Sequence, residues 1–220
     1  DGIRDRSPSR GLGDVYKRQY HMITTERPLE EKMALFWHHV FATGNGKVDN
    51  CNHMIEQIQM FRDYGMGNYR DLIIGVGLDS DEKDNPPIKF KEVFSAAREQ
   101  GYLLTMHCDV DQENSVSHLW QCLNEIGVDR IDHGVNSLED DSLIAEILRR
   151  GLGLTVCPIS NSYCSDATKA TEIKQMLELG MLVTVNSDDP AYFPGYMTEN
   201  LLQVQQEVNL TKADIAQLMR

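Results

Sequence analysis

Met181-Leu-Val-Thr-Val-Asn-Ser-Asp-Asp-Pro190 decides how the rest of the chain is read. Gly180 precedes it, and Met181 to Val185 is a short apolar run with β-branched residues, the pattern of a buried strand. The run stops at Asn186, Ser187, Asp188, Asp189 and Pro190. These are ordinary turn residues, and a polar turn capping a strand accounts for them in isolation. Two adjacent carboxylates at the mouth of a buried strand also carry repulsion and desolvation costs. A cation facing them is the commonest way to offset both. How the other strands end decides between these readings.

Working upstream, the same grammar repeats. Thr171 is placed to cap a helix carrying Ile173, Met176 and Leu177, ended by Gly180. Leu152 to Val156 is a strand ending at Cys157-Pro158. Ser137 is placed to cap a helix with Leu143, Ile144, Ile147 and Leu148 on its buried stripe, ended by Gly151. Arg130 to Asp132 is a strand ending at His133-Gly134. Asn114 or Ser115 can cap a helix with Val116, Leu119, Trp120 and Leu123 on one face, closed by Gly127. Tyr102 to Met106 is a strand that ends at His107. Phe90, Val93, Phe94 and Ala97 recur at helical spacing before Gly101. Leu72 to Leu78 is an apolar strand, followed by the acidic loop Asp79 to Asn85 and the Pro86-Pro87 stop.

Such β-α-β-α alternation means an α/β fold of parallel strands with helical crossovers. Its polar and reactive residues fall at strand C-termini: Asp79 and Ser80, His107, His133, Cys157 to Asn161, Asp188 and Asp189. Parallel α/β folds build their sites at that end. Two histidines and an Asp-Asp pair on separate strand ends would meet around one mouth. Histidine and aspartate converging without thiolates suit a catalytic zinc (Zn2+), because a coordination position is left for water. A second, non-coordinating histidine would then move a proton or stabilise the attacking oxygen. The remaining aspartate would orient a substrate nitrogen. Cys157 reads as packing at a turn, with no histidine partner in Ser160 to Cys164.

The composition, 41% hydrophobic and 25% charged over 220 residues, is that of a soluble globular protein. A net charge of −13 argues against a nucleic-acid partner and against anionic membrane surfaces. No apolar run reaches the length of a membrane span, and the N-terminus shows no signal-peptide hydrophobic region. Cys51, Cys108, Cys122, Cys157 and Cys164 are scattered without a Cys-x-x-Cys pair, which points to reduced thiols and a cytoplasmic location.

Residues 1–20 show neither helical nor strand period and read as a disordered tail of adapter or vector type. Residues 21–71 read as a helical segment of unrelated origin. Leu29, Met33, Leu35, Phe36 and Val40 favour one side of a first helix, and Met54, Ile55, Ile58, Met60 and Phe61 suggest a second. His38 and His39 are adjacent, so on a helix they point about 100° apart and cannot act as a paired metal site. One is expected at the core edge and the other in solvent. Lys32 to Gly44, with Phe61-Arg62 and Gly67 to Leu72, resembles a family of uncharacterised helical bacterial proteins with a Phe-Trp-His-Asn-His-Phe signature. His39 and Val40 stand where that signature has its Asn and second His.

Residues from about 72 to 220 resemble the C-terminal part of the adenosine/adenine deaminase family of metal-dependent amidohydrolase barrels. The resemblance is carried by Gly77-Leu-Asp-Ser-Asp-Glu82, Thr105-Met-His107, Arg130-Ile-Asp-His-Gly134, Cys157-Pro-Ile-Ser-Asn161 and Asn186-Ser-Asp-Asp-Pro190. It implies a partial TIM-type (β/α) barrel, about strands 4–8, preceded by the α-helical segment. It also implies His107 and Asp188 as zinc ligands, and His133 as the catalytic residue acting on the zinc-bound water. Asp189 would meet the purine N7, and Ser80, beside Asp79, stands at the family's backbone contact to the purine. The implied reaction is hydrolytic loss of ammonia from C6 of a 6-aminopurine. Pro86-Pro87 followed by Lys89-Phe90 resembles the adenine branch more than the nucleoside branch.

The departures from that pattern are specific. The family has a His-x-His pair on its first strand that supplies two further ligands, and this chain contains no His-x-His. The family has a glutamate three residues after the fifth-strand histidine, which protonates the ring nitrogen. Val110 stands there, leaving Asp109 or Asp111 as substitutes. Fewer ligands mean weaker metal binding. The alternative is therefore an inactive barrel fragment or chimera, joined near Tyr69 to Ile73, or another amidohydrolase.

Overall fold

The computed structural model describes residues 19–41, 51–68, 72–79, 82–108, 111–165, 167–190 and 192–219, with the backbone alone for 51–54. The chain divides into two compact units, Asp1–Leu72 and Ile73–Arg220.

In the first unit α1 (Pro28–Val40) packs against α2 (Cys51–Tyr64). Proline opens α1 where its missing N–H costs nothing, and Glu30 and Glu31 in the first turn complement the helix dipole. The stripe anticipated on α1 is not the one that is buried. Leu29, Leu35, Phe36 and Val40 are exposed, while Glu31 and Ala34 are covered, with Trp37 and Phe41 packed beside Ala34, Phe61 and Leu72. The burial of Glu31 has a cause that periodicity does not carry: Arg62 of α2 grips it through Nε and, at 3.2 Å, through Nη2. His38 is half-buried and His39 exposed, as expected of that pair.

The second unit is built on one parallel sheet with the order β1 (Gly75–Leu78), β2 (Leu103–Cys108), β3 (Arg130–His133), β4 (Gly153–Val156) and β5 (Leu182–Val185). Strands that neighbour one another in sequence order are consecutive staves of a (β/α) barrel, without the order reversal of doubly wound sheets. The α/β expectation therefore holds. Leu104 and Met106, Ile131, Leu154 and Val156, and Val183 and Val185 face the helices and form the core. The other face is polar: Asp132 accepts hydrogen bonds from Thr105 and Thr155, both at 2.7 Å. Gly77 belongs to that face, where a Cβ would lie 2.6 Å from Thr105 Cγ2.

The crossovers are α3 (Lys91–Glu99), α4 (Ser115–Gln121), α5 (Asp141–Arg150) and, after the short α6 (Pro158–Cys164), α7 (Ala170–Glu178). Two expected caps are displaced. Ser137 is buried inside a 3-10 turn, Val135–Glu139, and Asp140 caps α5 by accepting from the Ser142 and Leu143 amides. Thr171 lies inside α7, whose N-cap is Lys169, a residue without a capping side-chain bond. Gly151 ends α5 in the left-handed conformation, as its position implied. Two helices that the sequence reading left unassigned, α8 (Met197–Val208) and α9 (Lys212–Leu218), bury Leu201, Val204 and Leu218. Among the described residues no helix is long and apolar enough to cross a membrane.

Candidate active site at the strand C-termini

A cavity of about 480 Å3 opens at the C-terminal ends of the strands, within the range of roughly 300–1,000 Å3 usual for small-molecule sites. Asp79, His107, His133, Asp188 and Asp189 all line it, as do Glu82 and Asn161. Ser80, with Asp109 and Val110, lies outside the described residues.

The two histidines arrive differently. His107 stands on the polar face of β2, opposite Asp132 in the register, so the ordinary alternation of a strand aims it inward. His133 shares strand parity with Ile131, which faces the core. Its φ of 61° turns the backbone left-handed and brings the ring round to line the cavity. Gly134 follows at φ 71°, where a Cβ would stand 2.6 Å from Leu154 Cδ2. Asp188, which also lines the cavity, likewise has a positive φ, at 56°. Such conformations cost about 1–3 kcal/mol each and persist only where surrounding structure holds them.

The rings of His107 and His133 meet edge to face with centroids 4.2 Å apart. His107 Nδ1 is hydrogen bonded to Glu82, and its Nε2 lies 3.6 Å from Asp79 Oδ1. Buried His133 places Nδ1 3.0 Å from Asn161 Oδ1 and Nε2 3.7 Å from Asp188 Oδ2. With the amide oxygen as acceptor, His133 Nδ1–H donates and Nε2 keeps its lone pair. The Asn161 Nδ2 is buried without a partner.

The electrostatics separate the pair. Burial opposes charge on His107, but its bond to Glu82 and the charges of Glu82, Asp79 and Asp188 outweigh that and raise its pKa. Burial lowers the pKa of His133, and the nearby His107 charge lowers it further, against Asp188 and Asn161. Burial and the charges of Asp188 and Asp132 push the Cys157 thiol well above its ordinary range, which leaves it a poor nucleophile.

The remaining candidate, Asp111, is directed elsewhere. Its carboxylate is 2.6 Å from Lys169 Nζ and accepts from Asn136 Nδ2 at 3.1 Å, and it is not among the residues lining the cavity. Burial works against its charge, but Lys169 and Asn136 overcome that and lower its pKa. Glu82 and Asn161 fall within sequence motifs that by themselves give neither residue a role. Their partners lie 25 and 28 residues away, so no local pattern links them.

Imidazole and carboxylate donors at one mouth fit a divalent cation of borderline softness. Among the described residues one group that could hold a metal ion, the ligating atoms of His133, Cys157 and Asp188, lies within 4.8 Å of one another, and His107 is not part of it. The architecture is that of the (β/α)-barrel proteins with a histidine- and carboxylate-lined mouth. The adenosine deaminase family model matches residues 46–220, and the chain belongs to that family. An uncharacterized deaminase of Schizosaccharomyces pombe is 50% identical over 153 residues, covering 69% of this chain and 45% of the relative. The adenine deaminase of Chlorobium phaeobacteroides is 44% identical over 152 residues, with 68% and 45% covered. The crystal structure of adenine deaminase from Arthrobacter aurescens superposes with a TM-score of 0.62 at 32% identity, covering 79% of this chain and 50% of that one. An amidohydrolase from Burkhoderia ambifaria with bound Zn gives 0.61 at 25% identity, with 79% and 47% covered. The chain spans about half the length of the curated relatives it matches. The family match begins at residue 46, upstream of the residue 72 where the resemblance in the sequence was drawn.

Proposed function

We propose that the cavity belongs to a zinc-dependent hydrolase that removes ammonia from C6 of a 6-aminopurine, adenine ahead of adenosine. The observation that carries this reading is the meeting of His107, His133, Asp188 and Asp189 in one mouth. His107 and Asp188 would hold one zinc ion, which when bound supplies Lewis-acid activation of water near neutral pH.

The protein's own groups divide the remaining work. His133, with Nδ1–H donating to Asn161, offers Nε2 as the acceptor of a proton from the attacking water. Its lowered pKa keeps that nitrogen free near neutrality. Asp189 would fix the purine through N7, Asp79 lines the same cavity, and Ser80 keeps the substrate role that the family resemblance implies. Water and the amine exchange so that the ring gains oxygen at C6 and ammonia leaves. Asp111 takes the role of ring-nitrogen proton donor only if substrate draws it from Lys169.

The names of the relatives and the Pro86-Pro87 motif favour adenine. The sequence supports a small-molecule partner, neither nucleic acid nor membrane, and a cytoplasmic setting. The described cysteines, all free thiols, fit that setting. We assign residues 21–71 to a helical segment of separate origin from the barrel part on its sequence pattern, although the family match itself reaches back to residue 46. A second reading, an inactive barrel fragment, is favoured by the missing His-x-His pair.

Metal analysis and ammonia release from adenine and adenosine test the proposal. Purified chain should bind zinc, and His107→Ala or Asp188→Ala should lose at least about 10–100-fold in affinity. Zinc binding unchanged in both variants sinks the ligand assignment. Bound zinc with no ammonia from any aminopurine leaves the inactive fragment.

A further inference from the structure

The ring nitrogens of His107 have different neighbours, and one of them chooses the ring's protonation. Glu82, from the loop after β1, is bonded to Nδ1, and both side chains are largely shielded, at 17% and 20% exposure. An ionised carboxylate only accepts, so Nδ1 carries the hydrogen, and in the neutral ring Nε2 keeps its lone pair. That nitrogen is near Asp79, and the ring's edge-to-face contact with His133 limits rotation.

We propose that Glu82 is a positioning residue, holding His107 in the Nδ1–H tautomer so that Nε2 faces the cavity as a ligand for a divalent cation. This rests on the reading of His107 as a zinc ligand. A carboxylate on the distal nitrogen of a ligating histidine fixes the ring and raises its basicity, and its loss typically costs 10–100-fold in metal affinity. The demand is greater in this chain because no His-x-His pair shares the load. Asn161 makes a parallel contact to His133, but a neutral amide adds no charge. The two imidazoles therefore differ in basicity through the groups behind them.

Long-range 1H–15N correlation spectra of the metal-free full chain at alkaline pH read the tautomer directly. Wild type should show His107 as Nδ1–H, Glu82→Ala should shift it towards Nε2–H, and Glu82→Gln, whose amide oxygen still accepts, should keep it. Competition titration with zinc should then show affinity falling about 10–100-fold in Glu82→Ala and less in Glu82→Gln. A tautomer unchanged in Glu82→Ala overturns the role of Glu82 whatever zinc does. A tautomer that shifts in a chain whose wild type binds no zinc retains Glu82's hold on the ring and refutes the zinc reading of the cavity.

Discussion

The helical pair of the first unit closes around Ala34, Phe61 and Leu72 and around an ion pair, Glu31 with Arg62. The sheet unit instead stacks Leu104, Ile131, Leu154 and Val183 from successive strands against Leu119, Ile147, Ile173 and Val204. Its shielded ionisable groups include Asp132 on the polar face and Glu82, His107, His133 and Asp188 at the strand ends. Where apolar area is scarce, a buried charge has to be held by its partner. Where apolar area is plentiful, the charges are free to be placed for chemistry.

That contrast breaks most sharply at Glu31. Glu31→Ala leaves the largely shielded Arg62 guanidinium without its partner, and should cost the first unit about 3–5 kcal/mol. Hydrogen exchange at α1 and α2 reads this. A loss within experimental error would show that apolar packing alone holds the helices. In the sheet unit Ile131→Ala, at a fully buried strand position, should cost about 2–5 kcal/mol by denaturant unfolding. Leu35→Ala on the exposed side of α1 should stay within about 0.5 kcal/mol.

The site sharpens the comparison through pH. His107 should titrate above the usual histidine value of about 6.5 and His133 below it, as read from their ring-proton shifts. The raised group stabilises the fold below its ordinary pKa, and that contribution is lost as pH rises through its folded value. The lowered group acts oppositely: stability falls as pH drops below the ordinary value, where the unfolded chain takes a proton that buried His133 refuses. His107→Ala should raise the His133 midpoint, and an unmoved midpoint would deny their coupling. Among the site residues the smallest effect is expected at Asp111→Asn. Loss of its half-exposed pair with Lys169 should change stability by no more than about 1 kcal/mol. Ammonia release by that variant equal to wild type would remove Asp111 from the chemistry.

The alternation of strands and helices was legible because each strand is a short apolar run and the crossover helices carry periodic stripes. Asp188 and His107 were legible because they sit where those runs stop. The stripe on α1 misled because Leu35 and Phe36 keep the helical period yet stand exposed, whereas Glu31 is buried against a residue 31 positions away. Ser137 misled because Asp140, only three residues on, offers a better cap.

Taken by itself, the amino-acid order determined the parallel sheet, the succession of its strands and the set of imidazoles and carboxylates at one rim. These follow from local hydrophobic period and from the polar residues at which each apolar run stops. Tertiary structure alone decided that His133 swings off the core parity of its strand, that Glu82 reaches His107, and that Asp111 is taken by Lys169. Those outcomes depend on a left-handed backbone and on contacts between residues tens of positions apart, and neither leaves a period in the sequence.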